Sequence, residues 1–213
     1  MANVIEKQVL QREMSYQGEV ILKYTIEYPK LQSSKYLYGI EKFNETNRQI
    51  AYRLKKYAET QLFEEAKKTY QYNKANGYPT MLYEVILNYI VTYQEKNRIS
   101  LYMDQYIYSG GAHGNTIRFS QNWDLQMARQ VTLQEVYQND PYYVIDILKE
   151  VNRQIKYQIE ETKGVYFDDY CQLVLNTFRL TQFYLVPQGI SIFFQQYDIA
   201  PYSSGIPTFL IEP

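Results

Sequence analysis

The spacing of hydrophobic and polar residues changes several times along the chain, and each change predicts an element. Val20, Leu22, Tyr24 and Ile26 fall on one face, Glu19, Lys23, Thr25 and Glu27 fill in, and Pro29 ends the run. That two-residue period predicts a half-buried strand, with a partner strand around Val4–Met14. From about Ile40 to Asn76 the period becomes helical. Phe43, Ile50, Leu54, Tyr57, Leu62 and Ala66 recur with charged residues between them, and Asn76-Gly77 followed by Pro79 is a stop. One long amphipathic helix is predicted, and it needs a sheet to lie on. Alternation returns over Met81, Tyr83, Val85, Leu87, Tyr89, Val91 and Tyr93, then in the return strand from Ile99 to Tyr108, and again through Ile117, Phe119, Trp123 and Leu125. The connections are too short for parallel crossovers, so these strands read as an antiparallel meander.

Thr132-Leu133-Gln134-Glu135 has the form of a capping box and predicts a short helix. Asp140-Pro141 opens a longer one, with the stripe Val144, Leu148, Val151, Ile155 and Ile159 and with Gly164 as its close. Phe167–Arg179 reads as irregular. A hairpin is expected from Phe183–Val186 and Ile190–Phe194 around Pro187-Gln188-Gly189, and a last strand near Thr208–Ile211. The predicted fold is therefore α+β: an antiparallel sheet meander packed against one long N-terminal helix and a second, C-terminal helix. No internal repeat, low-complexity tract or flexible linker breaks the chain.

Composition narrows the function classes. The 213 residues can bury one substantial core, or two small ones sharing an interface. A formal net charge of -1, with 22 basic residues scattered among 23 acidic ones, argues against nucleic-acid binding and against a polybasic membrane patch. Tyrosine stands out at 25 copies, enough to supply both a core and a contact surface. The single cysteine, Cys171, allows no intramolecular disulfide. No apolar run reaches the ~18 residues of a membrane span. Met1–Met14 carries charges in place of an apolar core, so it is not read as a signal peptide.

Candidate chemistry is sparse. One histidine and one cysteine leave only a carboxylate-dominated metal site, so neither a metal nor a cofactor is expected. His113 lies in Ser109-Gly110-Gly111-Ala112-His113-Gly114-Asn115. It is either a base or polar contact in a ligand-approached loop, or part of a tight reversal whose glycines supply positive φ. The loop lacks the lysine and following helix of a phosphate-binding loop. A Cys171/His113 pair would be a nucleophilic dyad, but Cys171 lies among Tyr170, Leu173, Val174 and Leu175 and reads as a small buried thiol. Ser109/His113 lacks an orienting carboxylate. Asp168-Asp169 and Glu160-Glu161 read as solvated turns or caps. The stiff, weakly charged stretch from Gln196 to Pro207 either plugs the core or presents a rigid patch to a partner.

Two of these segments carry a resemblance. Gly110-Gly111-Ala112-His113 resembles the GGAH turn of the domain that accompanies the peptidoglycan deacetylase PdaC. Phe183-Tyr184-Leu185, Gly189-Ile190 and Tyr197-Asp198-Ile199-Ala200-Pro201-Tyr202, with Gly205 after it, resemble the signature of RsiV-like anti-sigma factors: FYL, a Pro-x-Gly turn, a strand, YEIAPY and a glycine. Trp123-Asp124-Leu125 and Thr132-Leu133 lie where that family has an N-x-DL…TL segment. The resemblance runs from about Val20 to Ile211, with a PdaC-associated-type region over 1–115 and an RsiV-type region over 116–213 in one compact unit. Asp198 stands where the signature has Glu, and Gln196 where it has Pro.

The resemblance implies an extracytoplasmic, bacterial-envelope setting. In RsiV-like proteins the domain binds lysozyme; in the PdaC-like case the deacetylase is a separate domain with no counterpart here. The expected function is a non-catalytic binding or sensing module for a lysozyme-like protein or for peptidoglycan. Its surface is expected at Gly110, Gly111, His113, Tyr197, Asp198, Ala200, Pro201 and Tyr202. The competing expectation is a wall hydrolase working through His113.

Overall fold

Alternation in the first thirty residues builds a long hairpin. In the computed structural model, which describes residues 4–138 and 140–212, β1 (Val4–Tyr16) pairs antiparallel with β2 (Glu19–Gln32). The two residues between them, Gln17 at φ 51° and Gly18 at φ 84°, have the positive φ that suits a tight hairpin with the strands' own twist. Ile21, Leu22, Tyr24, Ile26 and Leu31 of β2 are buried.

The helical stretch that follows covers this core as α1 (Leu37–Tyr57), a π-helical turn (Ala58–Leu62) and α2 (Phe63–Asn76). Its buried stripe is Ile40, Phe43, Asn47, Ala51, Leu54, Ala58, Leu62, Ala66, Tyr70 and Asn73. From Leu54 to Tyr70 every step is four residues, longer than the 3.6-residue α-helical turn, so the stripe would drift off the sheet. The wider π turn absorbs that drift in place. Glu59, within it, accepts from Arg12 Nη1 at 3.1 Å and from Tyr24 Oη at 2.8 Å. Burial, helped by the Glu59 charge, pushes the Tyr24 phenol up to about 12. Gly77, at φ 72°, ends α2 as the sequence predicts.

The helix pair is also a crossover. β2 pairs in parallel with β3 (Tyr83–Glu95), from Leu22 opposite Tyr83 to Ile26 opposite Leu87. The strands β4 (Arg98–Tyr108), β5 (Asn115–Asp124) and β6 (Arg129–Gln130) complete a six-stranded sheet in the order β1-β2-β3-β4-β5-β6. The chain separates into two compact units. The first holds the residues up to Tyr89 and Met103–Thr116, the second Ile90–Tyr102 and the residues from Ile117 on.

In the second unit the capping box closes as the sequence predicts. Thr132 Oγ1 accepts from Glu135 N, and Glu135 Oε2 accepts from Thr132 N, at the start of α3 (Leu133–Val136). The helix α4 (Tyr143–Glu161) begins two residues after Pro141 and buries Tyr143, Ile147, Val151 and Ile155. The stretch expected to be irregular contains instead a two-turn helix, α5 (Tyr170–Thr177), with Val174 its one fully buried residue. Its covered side, Tyr170, Leu173 and Val174, falls at helical spacing but spans little more than one turn, too short a run for the pattern to mark a helix. The hairpin β7 (Phe183–Val186) and β8 (Gly189–Phe193) then pairs with β9 (Thr208–Ile211) in a three-stranded antiparallel sheet. Phe183, Ile192, Phe194, Ile199, Ala200 and Phe209 form its core with α4 and α5.

A buried polar knot fastens β7. Asn122 Oδ1 accepts from Ser100 Oγ at 2.7 Å and from Leu185 N at 3.2 Å, and Asn122 Nδ2 donates to Phe183 O at 3.0 Å. Leu185 N also donates to Ser100 Oγ at 2.9 Å. Ser100 and Asn122 are almost wholly enclosed. Asn122→Ala would strand these groups away from water, so it is expected to lower the unfolding free energy by about 1–3 kcal/mol. Urea unfolding checks it, and an Asn122→Ala protein as stable as the parent would show the knot to be dispensable.

Candidate functional site

The Gly-rich turn joins β4 to β5 within the first unit. Gly110 and Gly111 sit at φ 99° and 91°, a region side chains rarely enter. Gly114 is required for a different reason. It is buried, and a Cβ there would overlap the ring of Tyr106. The turn is bonded to itself: Tyr108 Oη donates to Gly111 O at 3.0 Å, and His113 Nδ1 lies 3.0 Å from Gly114 O, to which it donates. His113 is exposed. All three glycines therefore have a steric reason that involves no ligand.

The second predicted segment belongs to the second unit. A turn over Gln195–Asp198 is closed from both sides. Asp198 N donates to Gln195 O at 3.1 Å, and Gln195 N donates to Asp198 Oδ2 at 2.9 Å. Burial pushes the Asp198 carboxyl up, against the hydrogen bond from Gln195 and the charge of Arg179. Ile199 and Ala200 descend into the core, 0% and 1% exposed. Ala200 is thus a plug and not a contact residue. Tyr197, forced to φ 67° by the turn, is left 52% exposed, and its ring centroid stands 5.8 Å from that of the half-buried Tyr202. Pro201 leads into a 3-10 turn at Tyr202–Ser204, ended by Gly205 at φ 69°.

Sequence reasoning missed the residue that anchors this segment. The Gln195 carboxamide lies along the backbone of Arg118 in β5: its Oε1 accepts from Arg118 N at 2.9 Å and its Nε2 donates to Arg118 O at 2.6 Å. The Arg118 guanidinium in turn stacks 3.8 Å from the centroid of the Tyr102 ring, which lies 5.1 Å from that of Tyr184. A glutamine bonded 77 residues away leaves no local trace in a sequence.

Cys171 corrects an expectation. It is exposed, because the covered side of α5 is Tyr170, Leu173 and Val174, and Cys171 stands one residue round from it. Ser109, Glu160, Glu161, Asp168 and Asp169 are exposed as well. Among the described residues, no three His, Cys, Asp or Glu side chains gather as a metal site would require.

Two substitutions test the account of these segments. Gly114→Ala is expected to cost about 1–3 kcal/mol through overpacking against Tyr106, whereas His113→Ala, which removes a side-chain hydrogen bond without overpacking, is expected to cost less than that; thermal unfolding of both decides it. Asp198→Asn retains an acceptor for Gln195 N and removes the buried charge. A carboxyl raised in the folded state adds stability at low pH that is lost as pH rises through its folded pKa. The variant should therefore gain on the parent across that rise, and a stability difference that does not change with pH would contradict the burial account.

Comparison with known proteins agrees with the order of these parts. A family model described as Deacetylase PdaC matches residues 16–116, and one described as a protein of unknown function, DUF3298, matches residues 135–212. The peptidoglycan-N-acetylmuramic acid deacetylase PdaC of Bacillus subtilis is 21% identical over 161 residues; that stretch is 65% of this chain and 33% of the enzyme, so the chain corresponds to about a third of its length. The crystal structure of a DUF3298 family member from Bacteroides fragilis superposes with a TM-score of 0.72 at 19% identity, over 99% of this chain and 91% of that one. A second, from Pseudomonas aeruginosa, gives 0.60 at 18% identity, over 98% and 91%. The two family models match successive parts of the chain, and the likeness to the two DUF3298 structures is one of fold.

Proposed function

We propose that this chain is a non-catalytic binding or sensing module of the bacterial cell envelope that recognises a lysozyme-like protein or the wall glycan. One observation carries the reading: Tyr197 is held out at the surface beside Tyr202 by a turn closed at both ends and plugged into the core. An aromatic side chain immobilised before its partner arrives loses little entropy on binding, which is how tyrosines become the strong points of interfaces. The likeness to a region of a peptidoglycan deacetylase supports an envelope setting, and the resemblance to the RsiV-like signature is the ground for proposing lysozyme as the protein partner. Of the residues expected at the surface, Tyr197 and Tyr202 keep the contact role in this proposal. Asp198 and Pro201 shape the loop, and Gly110 and Gly111 shape the turn around His113.

The competing reading, a wall hydrolase, stands on the exposure of the His113 imidazole. Both are tested with purified lysozyme and insoluble peptidoglycan. The chain should be retained on at least one of them, and Tyr197→Ala/Tyr202→Ala should weaken that retention roughly thirtyfold, the effect of losing about 2 kcal/mol. Unchanged retention by a folded double variant removes the loop from the interface. Release of soluble muropeptides by the parent but not by His113→Ala would replace binding with hydrolysis.

A further inference from the structure

In the second unit, the C-terminal end of α4 and the segment from Ser203 to Thr208 form the walls of a groove of about 540 Å3, within the range of roughly 300–1,000 Å3 that small-ligand sites occupy. The walls are fastened to one another, since Ser204 Oγ donates to Val165 O at 2.8 Å. Tyr157 and Tyr166 contribute aromatic surface, and Gln158, Glu161, Ser203 and Thr208 contribute polar groups. Tyr166 is held by stacking on Phe209, with centroids 6.4 Å apart and planes at 29°, and its Oη donates to Gln158 Oε1 at 2.5 Å. That bond orients the carboxamide and leaves its Nε2 with hydrogens to donate. Tyr157 Oη, Ser203 Oγ, Thr208 Oγ1 and the Glu161 carboxylate likewise make no hydrogen bond or ion pair with the described residues.

We infer that this groove binds a neutral pyranose oligosaccharide. A sugar ring presents an apolar C–H face suited to tyrosine and a rim of hydroxyls, each both donor and acceptor. The groove offers that combination: aromatic surface beside a fixed amide donor, three hydroxyls and a carboxylate acceptor. Its lining holds no lysine or arginine, while Glu161 would repel a carboxylated sugar. The inference rests on the envelope reading and names the ligand class for a surface separate from the Tyr197 ring.

The test uses tri-N-acetylchitotriose as the neutral probe and a trisaccharide of uronic acids as the charged one, titrated at millimolar concentration into the isotope-labelled chain. Chitotriose is expected to give saturable shifts confined to amides of residues 157–166 and 203–208, and the uronate none. Tyr157 is 61% exposed, so Tyr157→Ala should fold, as circular dichroism will verify, and should bind chitotriose about tenfold more weakly, a change equivalent to 1.4 kcal/mol. No saturable shift with chitotriose, or unchanged affinity in a folded Tyr157→Ala, overturns the assignment. Retention on lysozyme or insoluble peptidoglycan is measured in parallel. Retention without groove shifts overturns the groove alone, whereas groove saturation without retention supports the groove and overturns the Tyr197 loop.

Discussion

The Asn122 carboxamide is the constraint on which the second unit depends. Its oxygen takes hydrogen bonds from Ser100 and from the backbone of Leu185, and its nitrogen donates to the backbone of Phe183. β7 is the terminal strand of a three-stranded sheet, so one side of it has no strand to satisfy its peptide groups. A peptide group buried without a partner costs about 1–3 kcal/mol, so burying β7 requires side chains that can imitate a strand. Asn122 and Ser100 do this from β5 and β4, and Ser120 adds a bond to Phe183 O at 2.5 Å. Once β7 is fixed, β8 follows by hairpin pairing, and the chain leaves β8 toward the turn that carries Tyr197.

The same device recurs one step along the chain. Gln195 pairs with the backbone of Arg118 as a further strand would, with one donated and one accepted bond. The turn after it then starts from a fixed point, and Asp198 closes it. The Asp198 carboxyl is raised by burial, so the charged form sits there at a cost. The hydrogen bond from Gln195 N offsets part of that cost. A side chain retained in this state is acting on geometry: it holds the backbone in the form that sends Ile199 and Ala200 inward and leaves Tyr197 outside.

What could be read from the sequence followed from what is local in the physics. The strands, the helix stop at Gly77, the capping box at Thr132 and the last strand at Thr208–Ile211 appear in the fold, because period and capping are set by residues within a turn or two of each other, although β2 runs on through Pro29 to Gln32 and Val20 is exposed where Ile21 is buried. The positive φ of Gly110 and Gly111 was legible for the same reason. The parallel pairing of β2 with β3 was not, since nothing in either strand states which neighbour it will meet across a forty-residue helical crossover. The π turn could be seen only once the buried positions were known. Gln195 and Asn122 gave no signal either, because a polar side chain bonded to distant backbone looks like any solvated one.

The 25 tyrosines divide along the same line. Tyr24, Tyr70 and Tyr83 bury their rings and reach with their hydroxyls to Glu59, Glu19 and Thr69 at the edge of the core, so each covered phenol keeps a hydrogen bond. Such residues account for part of the composition without any ligand. Tyr157 and Tyr197 differ in kind, being 61% and 52% exposed on backbone that is itself fixed by helix or closed turn. Exposure alone would mark a solvated ring, and a fixed backbone alone would mark a structural one. Their combination lowers the entropic cost of a contact. That combination, more than the abundance of tyrosine, is what the proposed contact roles of Tyr157 and Tyr197 rest on.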